Sequence, residues 1–137
     1  MNSKQEELKR RTKVFAHRCV KLAVCLPDTT LSRHIKGQLI RASTSTAANY
    51  RAVCLAQTRN TFIAKLAIVI EECDESCFWM EFIIDEKIIP ESLIKLLLKE
   101  GKELTAIFIK SRITASSKPQ KNRKSQNNRQ YSINNIQ

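Results

Sequence analysis

Glycine occurs only twice and proline only three times in 137 residues, and that scarcity constrains the fold more than any other feature of the sequence. An all-β architecture needs turn residues at the end of nearly every strand, whereas a few long helices joined by short loops do not. A chain of this length fits one domain and can bury a core without disulfides or a structural metal. Its 42% hydrophobic content suits such a core.

Apolar spacing divides the chain into four helical segments. Between Lys4 and Leu26, the residues Leu8, Phe15, Cys19, Leu22 and Leu26 recur on one helical face, and Pro27 ends the segment by forcing its predecessor out of the α region. Thr29 or Thr30 can cap the second helix, expected from about Leu31 to Gln57. Its Leu31, Ile35, Leu39, Ala42, Thr46, Tyr50 and Val53 fall within an arc of roughly 100°. The small residues from Ala42 to Ala48 let a neighbouring helix approach closely, and Gly37 costs the helix about 1 kcal/mol relative to Ala. After a turn over Gln57 to Asn60, a third helix from about Thr61 to Ile84 carries Phe62, Leu66, Val69, Cys73, Cys77 or Met80, and Ile84. Pro90 is expected to open the fourth helix, with Glu91 in its first turn, and the stripe Leu93, Leu97, Leu104, Ile107 and Phe108 continues it to about Thr114.

Short connections make sequential helices antiparallel, so the expected fold is all-α: an antiparallel up-down four-helix bundle over residues 1–114, with three-helix and swapped arrangements as the alternatives. Residues 115–137 are rich in Asn, Gln, Ser, Lys and Arg and nearly free of apolar side chains. Such a basic tail cannot offset its ordering entropy and is expected to be disordered.

The charge is unevenly laid out. Residues 1–70 carry 13 basic and 3 acidic side chains, residues 71–103 carry 4 and 10, and residues 104–137 carry 7 and none, giving the net +11. An acidic waist thus separates two basic regions, a field that attracts polyanions or an acidic partner. The polar N-terminus lacks the apolar core of a signal peptide. The longest strongly apolar stretch, Phe62 to Ile70, is interrupted by Lys65 and is too short to span a bilayer. The five cysteines are odd in number and form no Cys-x-x-Cys pair, so they are read as reduced, buried small hydrophobes of a cytoplasmic protein.

Three constellations bear on function. Opposite the apolar stripe of the second helix lie Arg33, Lys36, Arg41, Arg51 and Arg59, within roughly 140°. They are either a solvated face or a ridge for phosphates, without interleaved aromatics for stacking on bases. The polar residues Gln38, Arg41, Ser45 and Asn49 border that helix's apolar face, opposite Lys65, Glu72, Glu75 and Trp79 on the third helix. For an antiparallel hairpin folding back near Thr58, Arg41 should meet Glu75, and Ser45 should meet Glu71 or Glu72, forming a polar core with an interhelical ion pair that fixes register. Finally, Glu71, Glu72, Asp74 and Glu75 suggest a metal-dependent nuclease with Lys65 as its cation. Adjacent carboxylates on a helix point in several directions, which favours a salt-bridged surface instead. Cys73 and Cys77 lack nearby nitrogen ligands for zinc, nucleophile–base pairs and phosphate loops are absent, and no metal or cofactor is expected.

The stretches QLIRASTSTAANYRA and TRNTFIAKLAIVIEECDESCFWMEFI resemble the signature of a bacterial four-helix-bundle protein family first met in proteins encoded within intervening sequences of 23S ribosomal RNA genes. Gln38, Leu39, Arg41, Ser45, Asn49, Tyr50, Arg51, Phe62, Lys65, Glu72, Glu75 and Trp79 carry the match. Ala52 stands where the pattern has an acidic residue and Glu71 where it has a lysine. The group is distantly similar to the accessory variability protein of diversity-generating retroelements, a basic homopentamer that binds a reverse transcriptase and nucleic acid. The resemblance implies a homo-oligomer, a pentamer, with a nucleic-acid or ribonucleoprotein role. The expected function is therefore that of a non-catalytic accessory protein that binds RNA or DNA phosphates through Arg33, Lys36, Arg51, Arg59, Lys118, Lys121, Arg123 and Lys124. The alternatives are an adaptor that docks an acidic protein such as a reverse transcriptase, and a nuclease that uses Glu72 and Glu75.

Overall fold

The computed structural model describes residues 2–119. Four α-helices, α1 (Ser3–Val24), α2 (Thr30–Cys54), α3 (Arg59–Asp85) and α4 (Lys95–Ser117), are joined in sequence order, with a single 3-10 turn at Glu91–Leu93 before α4. Extended residues with oxygen-bearing side chains start three of them. The side chains of Asn2, Thr29 and Thr58 accept hydrogen bonds from the backbone N–H of Gln5, Ser32 and Thr61 at 2.8, 3.1 and 3.1 Å, each satisfying one orphan donor of a first turn.

Helix ends are where sequence and structure differ. Pro90 does not begin α4; it precedes the 3-10 turn, in which Ile94 N–H bonds the Glu91 carbonyl at 2.9 Å, and α4 starts only at Lys95. Leu93 is consequently 68% exposed and Ile94 takes the core position. Leu31, placed in the α2 stripe by periodicity, is 40% exposed, while Ser32 is buried beneath the first turn. The chain leaves α3 through Lys87, whose φ of 53° puts it in the left-handed region. Lys87 N–H bonds the Ile84 carbonyl and Ile88 N–H bonds that of Ile83, the paired reversal that glycine usually serves. At the other end, α4 continues through Ala115 and Ser116 to Ser117, past the expected boundary at Thr114.

Sequential helices pack as antiparallel neighbours, and α1 closes the bundle more sparsely against α4. Phe15, Leu39, Leu66, Met80, Ile83, Ile94, Leu104 and Phe108 are wholly or almost wholly buried, and Tyr50 lies over Phe108 with ring centroids 5.2 Å apart. The four helices are therefore the all-α up-down bundle that the periodicity anticipates. The small-residue run of α2 serves close packing: Ala42, Ser43 and Thr46 are buried, and the Thr46 hydroxyl returns its hydrogen bond to the Ala42 carbonyl one turn back at 2.8 Å. The two glycines contrast. Nothing lies within 4 Å of a Cβ built on Gly37, whereas one on Gly101 of α4 would meet Cys77 Sγ at 2.7 Å and the Phe15 ring at 3.1 Å.

Candidate functional site

Two carboxylates at the α2–α3 interface converge on one guanidinium. Arg41 donates through Nη1 to Glu72 at 3.0 Å and through Nη2 to Glu75 at 2.5 Å. The Glu75 carboxyl is held below its ordinary range chiefly by this hydrogen bond, against the opposing effect of partial burial. Ser45 does not reach a helix-3 carboxylate; its hydroxyl accepts from the Asn49 amide at 2.9 Å within α2. Trp79, one turn beyond Glu75, stands edge-on to His34 at 5.5 Å. Its buried indole N–H has no acceptor in hydrogen-bond geometry. Gln38 touches the Arg41 Nε only at 3.5 Å, at the limit of a hydrogen bond. Arg41 thus bridges α2 and α3, and the two carboxylates it meets already face a cation.

The basic residues divide into three situations. Arg33 and Arg51 are exposed on α2. They are eighteen residues apart, so they share one angular position about 27 Å apart along the axis. Arg33 makes an ion pair with Asp28 at 2.9 Å, but both side chains are largely in water and the pair is well screened. Lys36 is half-buried. Arg59 is placed differently from expectation: α2 ends at Cys54, and Arg59 is the first residue of α3. Its guanidinium donates to the carbonyls of Ala115 and Ser116 at 2.7 and 2.9 Å, closing the C-terminus of α4. Lys118 is exposed just past that helix. Lys121, Arg123 and Lys124 lie outside the described residues, as does most of the tail expected to be disordered.

Sequence reading missed the contribution of α1. A shallow concavity of about 510 Å³ between α1 and α2 brings Lys9, Lys13 and His17 to Arg51, over a floor formed by Ala16, Val20, Ala47 and Ala48. No carboxylate lines it. The spacing of Lys9, Lys13 and His17 at every fourth residue carried the signal, which becomes visible only once α1 is known to lie beside the Arg51 end of α2. Half of the ten carboxylates of the acidic waist, in contrast, are paired within the described residues. Besides Glu72 and Glu75, Glu100 and Glu103 accept from Arg11 of α1, and Glu81 lies 3.3 Å from Lys102.

Among the described residues, no group of three or more His, Cys, Asp or Glu side chains is placed to hold a metal ion. Nor is any helix long and apolar enough to cross a membrane. The cysteines are free but not uniformly buried: Cys19, Cys73 and Cys77 are in the core, Cys54 is intermediate and Cys25 is exposed, because the helix ends at Val24 and leaves Cys25 at its cap.

These features define a small four-helix-bundle protein with a cationic outer face on its first hairpin. Among solved structures, the chain is similar to a crystal structure of a protein of unknown function from the S23 ribosomal protein family of Bacteroides thetaiotaomicron. The two share 28% identity and a TM-score of 0.73, over 80% of this chain and 97% of that one. No family model matches the chain, and no curated protein matches it.

Proposed function

We propose that this protein is a non-catalytic accessory protein that binds the phosphate backbone of RNA or DNA along the outer face of the α1–α2 hairpin. The observation that carries the reading is the concavity edged by Lys9, Lys13, His17 and Arg51 with no carboxylate in its lining. The line of Arg33 and Arg51 extends it. Cations on a rigid surface, Lys9, Lys13 and Arg51 without a carboxylate partner among the described residues and Arg33 with only a screened one, release counterions from a polyanion without reading its sequence. The ribosomal family name of the similar structure points the same way, as does the resemblance to proteins encoded in ribosomal RNA intervening sequences and, at a distance, to retroelement accessory proteins. On that resemblance the chain works as a homo-oligomer, a pentamer, which multiplies the basic face; light scattering of the purified protein measures the assembly. The site needs no cofactor.

Fluorescence anisotropy with an arbitrary duplex at several salt concentrations tests the reading. Four or five phosphate contacts give a slope of log K against log salt of about −4, and charge reversal by Lys13→Glu with Arg51→Glu flattens it. A salt-independent affinity, or none, refutes it. A second reading rests on the apolar floor of Ala16, Val20, Ala47 and Ala48, which suits an acidic amphipathic helix of a protein partner such as a polymerase. Such a helix would bind with weaker salt dependence and fail after Ala47→Asp. The pairing of Glu72 and Glu75 with Arg41 argues against the nuclease alternative, and labelled RNA incubated with magnesium should remain intact.

A further inference from the structure

Where α1 begins and α4 ends, the sparse contact between these helices leaves a second cavity, of about 470 Å³. Leu8, Phe62 and Ile107 supply apolar walls, and Ser111 and Thr114 add hydroxyls. Two further charged side chains line it: Glu7, whose 2.7 Å pair with Arg10 is exposed and screened, and Arg11, which is held by Glu100 and Glu103. The remaining charges are Lys4, Lys110 and Lys118, which make no ion pair among the described residues. The sequence following Lys118 adds Lys121, Arg123 and Lys124 and no carboxylate.

A half-buried aromatic ring below a rim of free ammonium groups is the arrangement used to hold a base by stacking and its phosphate by charge. We propose that this cavity receives one unpaired nucleotide of a bound RNA or DNA strand, its base against Phe62 and its phosphate among Lys4, Lys110 and Lys118. The proposal rests on the phosphate-binding reading above and deepens it. Bases within a duplex are already stacked and cannot reach Phe62, so the site discriminates single strands and junctions from continuous duplex. The outer α1–α2 face does not.

The test compares a twelve-nucleotide uridine strand with a duplex of equal length, at one salt concentration, against full-length protein. The single strand should bind at least as tightly as the duplex despite its lower charge density. Phe62→Leu should weaken the single strand about tenfold and leave the duplex unchanged. Because Phe62 also packs against the core, Thr114→Trp provides an independent variant: residue 114 is exposed at the rim, and the indole fills the cavity without disturbing the interior. It should produce the same selective loss, while a folded Thr114→Trp protein that keeps full single-strand affinity overturns the proposal. Duplex binding with little single-strand binding overturns this inference alone. Failure to bind either probe overturns the phosphate-binding reading with it.

Discussion

The α-carbon of Gly101 faces Cys77 so closely that a Cβ placed there would stand 2.7 Å from the sulfur. The Cys73 thiol also lies 3.5 Å from the Gly101 carbonyl, so α3 and α4 touch through backbone and short side chains at this level. Gly101→Ala should therefore destabilise the protein by about 1–3 kcal/mol, the usual cost of overpacking a tight core. Gly37→Ala, with open space around it, should stabilise α2 by roughly 0.5–1 kcal/mol. Urea titration of both variants checks the pair, which must move in opposite directions.

Arg41 with Glu75 should behave as a coupled pair. Arg41 is 48% exposed and Glu75 34%, so solvent screening limits the interaction to about 1 kcal/mol in a double-mutant cycle with alanine. The Glu75 carboxyl titrates below its unfolded-state range. The pair therefore stabilises the fold at pH above that unfolded value and stops doing so as the pH falls through the folded one. Cycles measured at pH 7 and in progressively more acidic buffer should differ, with the coupling declining as the carboxyl protonates; strictly additive losses at pH 7 would refute it.

Arg59→Ala should loosen the end of α4 rather than the whole bundle. It removes two charge-assisted bonds to the last carbonyls, at Ala115 and Ser116, and these also counter the helix dipole. A loss of about 1 kcal/mol is expected, with faster amide exchange confined to the final turn of α4. Uniformly faster exchange would contradict a local capping role.

Thiol chemistry should separate the five cysteines. Burial pushes the Cys73 thiol up to about 11 and Cys77 up to about 12, and raises Cys19 as well, so little thiolate forms at pH 8. Exposed Cys25 should react first with a disulfide reagent, Cys54 more slowly, and the other three only on unfolding. Rapid modification of three or more thiols in the native protein would contradict the packing.

Much of this arrangement is legible in the sequence because helices are local. The period of Leu8, Phe15, Cys19 and Leu22 fixes the buried face of α1 whatever it packs against. The hairpin near Thr58 likewise makes the meeting of Arg41 with Glu75 simple arithmetic. Helix ends are less legible, since they depend on which residue satisfies the first free donors. Thr58 does so, and Arg59, counted by periodicity as the last member of the α2 ridge, thereby became the first residue of α3.

The sequence by itself determined the four helices, their inward faces and the uneven distribution of charge, because each follows from the order of residues along one chain. Only the tertiary structure decided which charges remain free. It turned Arg59 onto the end of α4, gave Arg11 and Arg41 to the carboxylates of the acidic waist, and left Lys9, Lys13 and His17 beside Arg51. Those pairings join residues distant in sequence, and Coulomb energy depends on separation in space, which the packing of the helices sets.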